Sequence, residues 1–182
     1  QRQVEVSSRS SGEALRITAL AVLSQRGSRY LAVGDAEGKV TAFGRNGSFH
    51  GRIDAAIMPG EGIAGLHVHR GSLLFWAGVE WGYVDLQRLE ALHVECPELD
   101  GRIVAAAIDG RRPSSVFVSD EHGGVWVFSV DGKMHCKVER RFREGAAGAL
   151  GDLAFVRGFL LGLERERGAA TLLALNASHP GL

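Results

Sequence analysis

Three groups of side chains in this 182-residue sequence could do chemistry. Asp120-Glu121-His122 sets two carboxylates beside an imidazole, the residue types of an acid/base pair. His67-x-His69 puts two rings on one face of an extended segment, as a metal would need, with Glu61 the nearby carboxylate. Lys137-Val-Glu-Arg-Arg-Phe-Arg143 is the densest basic run. Each has a plainer reading. Asp120 to His122 sits where Asp35-Ala-Glu37 sits in an equivalent segment, so the expected role is a turn in which Asp caps backbone N–H groups. The metal set is incomplete, which favours two polar residues at a strand end. The basic run alternates, with Lys137, Glu139 and Arg141 on one face and Val138, Arg140 and Phe142 on the other. That is the pattern of a charged outer strand. There is no G-x-S-x-G elbow. Gly145 to Gly151 precedes no helix, so it is no phosphate loop; it reads as a linker. No catalytic, metal or cofactor set is expected.

Tryptophan and arginine are the usual interface anchors. Trp126 alternates as a core residue, whereas Trp81, placed at a turn, is expected to be exposed. The partner-binding candidates are therefore Trp81, Lys137, Arg140, Arg141 and Arg143. Cys96 and Cys136 fall on outer strands that should diverge, so free thiols are expected. Free thiols and the absence of an apolar leader within Gln1 to Gly12 point to an intracellular compartment. Both asparagines, Asn46 and Asn176, lie in N-x-S sequons, which leaves a luminal or secreted location open. Asn46-Gly47 is also a turn signal.

Composition narrows the field. The 21 basic and 21 acidic side chains cancel, so a nucleic-acid binder driven by bulk charge is not expected. No apolar run reaches about 18 residues, so no membrane insertion is expected. Hydrophobic residues make up 45% of the chain, enough for a packed core and too many for a disordered tail.

The elements that must position these residues repeat. Four segments share the form strand, glycine turn, strand: 30–43, 73–86, 116–128 and 159–175. Their marker glycines are Gly38, Gly82, Gly124 and Gly168, spaced by 44, 42 and 44 residues. A small-residue strand precedes each pair, at 17–23, 63–68, 103–108 and 153–156. A charged strand follows three of them, at 48–53, 89–95 and 134–142. Val84 to Leu92 is the best helix candidate and reads instead as strand, turn, strand. The expected fold is all-β, with four four-stranded antiparallel units at approximately 14–53, 62–96, 101–142 and 147–177 in a single domain. Residues 3–8 could supply the outer strand that the fourth unit lacks.

A repeat of this length with four strands per unit resembles the WD40-like β-propeller superfamily. The segments Val33-Gly-Asp-Ala-Glu-Gly-Lys-Val-Thr-Ala-Phe43 and Val118-Ser-Asp-Glu-His-Gly-Gly-Val-Trp-Val-Phe128 carry the likeness. They look like the hairpin between a blade's second and third strands. The chain departs from the family in lacking Gly-His before each blade and Trp-Asp at the end of the third strand. That puts the family's buried polar network in doubt. The resemblance implies a non-catalytic scaffold for other protein subunits, as a closed four-bladed ring or as part of a larger propeller completed by another chain or a missing segment. The alternative is an enzyme or ligand binder of the quinoprotein or lactonase propeller type. It would need carboxylates on the inner strands, which here offer mainly Ala, Leu and Val. A secreted adhesion propeller is a third reading.

Overall fold

The computed structural model describes residues 16–69, 71–96, 99, 101–109, 112, 114–143, 149–166 and 169–176. Every regular element among them is a strand. The first sheet is β1 (Ile17–Gln25), β2 (Ser28–Asp35), β3 (Lys39–Gly44) and β4 (Phe49–Asp54), in that order. The second is β5 (Gly65–His69), β6 (Ser72–Ala77), β7 (Glu80–Asp85) and β8 (Glu90–His93). The third is β9 (Ile103–Ile108), β10 (Ser115–Asp120), β11 (Val125–Val130) and β12 (Cys136–Arg143). The fourth has three described strands, β13 (Leu150–Val156), β14 (Phe159–Glu166) and β15 (Ala169–Asn176). Strands adjacent in sequence are adjacent in each sheet, the meander of a propeller blade. The expected closing strand at 3–8 lies outside the described residues. So does most of the 145–151 linker, although Leu150 and Gly151 belong to β13.

Tight turns set the register. Arg26 and Gly27 connect β1 to β2 with φ of 46° and 85°. Arg157 and Gly158 do the same for β13 and β14 at 52° and 92°. Two consecutive positive φ values are the backbone of a type I′ hairpin, whose twist matches that of the strands it joins.

The chain divides into two compact units, Gln1–Ala77 with Tyr83–Ala91, and Gly78–Gly82 with Leu92–Leu182. In the first, Leu23, Tyr30, Ala32, Val40, Ala42 and Ile53 of one sheet pack with Ile63, Leu73, Phe75, Ala77, Val84 and Leu86. The alanines of β1 and β2 let these layers approach closely. Gly65 is closer still: a Cβ there would run into the Trp76 ring. In the second unit, Ala105, Ala107, Phe117, Val125 and Val127 pack with Leu150, Leu153 and Leu160.

Two expectations are corrected. Trp81 is 1% exposed. The turn between β6 and β7 is Gly78-Val79, with Gly78 at φ 59°. Gly82 therefore lies inside β7 rather than at the bend, which carries Trp81 into the sheet, 5.9 Å from the Phe128 ring centroid. The cysteines are not free: Cys96 and Cys136 form a disulfide with Cα atoms 5.2 Å apart. The segment after β8 runs beside the start of β12 instead of diverging. Glu95 N–H donates to Met134 O, Cys136 N–H donates to Glu95 O, and Glu95 and His135 form a parallel bridge. With both thiols oxidised, the cysteines do not point to an intracellular compartment.

Candidate interaction surface

The Asp-Glu-His group is a turn. Asp120 Oδ1 accepts from the backbone N–H groups of His122 and Gly124 at 3.0 and 2.7 Å, and Oδ2 accepts the Trp126 Nε1–H at 2.6 Å. Asp35 repeats the arrangement: Oδ1 accepts from Glu37 and Lys39 N–H, both at 3.0 Å, and Oδ2 takes Arg52 Nη2 at 2.7 Å. Both carboxylates are buried, at 1% and 2% exposure. Each is satisfied by two backbone donors and one side-chain donor, which is what a buried charge requires. Glu121 and His122 stand outward, with 4.0 Å between Oε1 and Nε2. Asp131 caps a third turn, accepting from Lys133 and His135 N–H. Those backbone bonds hold its carboxyl below the usual range.

The basic strand is β12. Lys137, Glu139 and Arg141 are exposed, and Val138 and Arg140 are half-buried. The expected strict alternation is corrected: register shifts against β11 set Arg141 opposite Trp126 and Val138 opposite Phe128, on one face, and Arg140 opposite Val127 and Lys137 opposite Ser129, on the other. The Arg141 guanidinium lies 4.1 Å over the Trp126 ring. Trp126 in turn stacks on Phe128 at 6.1 Å and an interplanar angle of 7°. Arg141 is thus held by a cation–π contact, and the indole beneath it is anchored through Nε1 to Asp120. This link between the capped turn and the basic strand was not read from the sequence. Arg143 ends β12, with its side chain outside the described residues. His67 and His69 lie half-buried on β5, together with no third ligand among the described residues.

Two sheet faces expose apolar side chains. On the first sheet, Val22, Leu31 and Phe43 are cross-strand neighbours, and Phe43 in turn faces Phe49. Directly opposed residues share a face. Val22 is 72% exposed, Leu20 62% and Phe49 66%. On the fourth sheet Val156 pairs with Phe159, and they are exposed to 48% and 47%. The opposite faces of these sheets carry the cores described above.

No family model and no curated sequence matches the chain. Solved structures do match in fold. The chain is similar to the computationally designed Ika8 protein with a TM-score of 0.65 and 16% identity over 93% of its length. It is similar to a chain of apo ctPRC2 in an autoinhibited state at 0.68 and 11% over 93%. The Neurospora crassa Pan2 WD40 domain gives 0.66 and 14% over 87%. The fold is therefore β-propeller-like. The chain spans 49%, 40% and 46% of those three chains' lengths.

Proposed function

We propose that this chain is a WD40-like propeller module that scaffolds protein–protein contacts within a larger assembly, without catalysing a reaction. The observation that carries the reading is the exposure of Leu20, Val22 and Phe49 on the edge strands β1 and β4 of a blade-like sheet, whose inner residues Val33, Thr41 and Phe43 on the same face are buried. In a propeller each blade face packs on the next blade, and an apolar patch of this kind marks an interaction site. The solved structures of this fold run to about twice the length of this chain. That supports a further blade, with its own apolar face, as the occupant of this surface.

The solution mass of the isolated chain tests the proposal. Self-association or aggregation is expected. Leu20→Glu with Val22→Glu should convert the protein to a monomer without lowering its melting temperature, because both side chains already face water. A wild-type monomer with a sharp unfolding transition would overturn the reading.

A further inference from the structure

One end of the first sheet is basic, and the other end carries all its acids. Residues 25–34 and 42–51 contain no Asp or Glu, whereas Asp35, Glu37 and Asp54 gather around Lys39 and Arg52 at the opposite end. At the basic end, the β1–β2 turn and the β3–β4 turn enclose an open groove of about 640 Å³. Ser28, Arg29, Tyr30, Arg45 and His50 line it, and among the described residues no carboxylate does.

The groove is partly built, and the described residues supply it no counter-charge. His50 is fixed from two sides. Its Nε2 lies 2.8 Å from Leu86 O, so that nitrogen carries the proton and donates. Its ring centroid lies 4.9 Å from that of Tyr30, which is buried. Arg26 is tethered alongside by Nη1 donating to Gln87 Oε1 at 3.1 Å. Arg29 and Arg45 are exposed, and among the described residues neither has a hydrogen-bond or ion-pair partner. Elsewhere in the same sheet the exposed or half-exposed cations Lys39 and Arg52 are each paired with carboxylates. Two guanidiniums without a partner among the described residues, beside an ordered imidazole in a protein of zero net charge, form a local anion trap.

We infer that this groove binds an acidic peptide segment of a protein partner, with Arg29 and Arg45 taking its carboxylates. The inference deepens the scaffold reading by naming a site and a ligand chemistry. The short arginine pair suits a peptide strand better than a nucleic-acid backbone, which would call for a longer basic track.

The experiment measures fluorescence anisotropy of a short labelled Glu/Asp peptide on the wild-type chain, with the Gln/Asn peptide of equal length and a labelled single-stranded oligonucleotide as comparison arms. The acidic peptide alone should bind, and binding should weaken as salt rises. Arg29→Glu with Arg45→Glu should weaken it by about tenfold or more. Arg29→Gln with Arg45→Gln should give an intermediate loss, and melting curves of both variants should match wild type. Lys137→Glu with Arg140→Glu should leave the affinity unchanged. No binding by the wild type, equal binding of the neutral peptide or stronger binding of the oligonucleotide would overturn the inference. So would loss through the β12 variant instead. Each of those results leaves the Leu20/Val22 mass measurement, and the scaffold reading, standing on its own.

Discussion

Asp120 shows how a single side chain can look catalytic and be structural. Its carboxylate is buried and accepts three hydrogen bonds from its own turn and from Trp126, so it is committed to holding the hairpin. Asp120→Ala strips Trp126 Nε1 and two backbone N–H groups of their partner at a buried site. It should destabilise the chain by about 3 kcal/mol in urea unfolding, and free the Trp126 indole that lies beneath Arg141. Asp120→Asn should recover part of that loss. Position equivalence between Asp35 and Asp120 made the capping role legible in the sequence; the Trp126 bond was not, because it depends on which way the indole turns. His93 gives a pH prediction. Burial lowers its pKa from the ordinary 6.5, against an opposing pull from Glu80. The folded state therefore holds the neutral ring while the unfolded chain takes up a proton, so stability is full above pH 6.5 and falls as pH drops below it. Melting temperatures measured from pH 7.5 to 5.5 should decline, and His93→Gln should flatten the slope.

The strands themselves were legible at the level of elements, because alternation and turn glycines both point to short antiparallel pairs. Val84 to Leu92, whose helical pattern is short and uncapped and which reads as strand, turn, strand, is the end of β7, a turn and the start of β8. The error came from treating every marker glycine as a turn. Gly38 is one, with φ 79°, but Gly82 is a strand residue, and only the two-residue bend at Gly78-Val79 places Trp81 correctly. Spacing alone cannot distinguish a shortened turn from a shifted one. Gly65 is the opposite case, a glycine in a strand that is required by a neighbour rather than by a turn. Gly65→Ala forces β5 away from the Trp76 ring, an overpacking that should cost about 2 kcal/mol, whereas Gly132→Ala, with open space around it, should cost far less. Equilibrium denaturation of the two variants side by side checks the contrast.

Across the whole molecule, the features that the sequence concealed join segments far apart in the chain. The groove needs the turns at 26–27 and 45–47 side by side, and the disulfide needs a strand end at 96 to meet a strand start at 136. Pairwise spacing carries neither fact, because the position of one blade edge against another follows from packing rather than from local pattern. The disulfide closes a loop of 40 residues. Removing such a crosslink enlarges the unfolded ensemble, and the expected cost is about 2–4 kcal/mol. Denaturation with and without dithiothreitol should show that loss, and Cys96→Ser with Cys136→Ser should reproduce it while becoming insensitive to reductant. Because Glu95, His135 and their backbone bonds already hold the two segments together, the double variant should keep the native far-ultraviolet spectrum at neutral pH. A variant that instead lost its β-sheet signal would show that the crosslink builds this edge, rather than securing an edge that backbone hydrogen bonds have built.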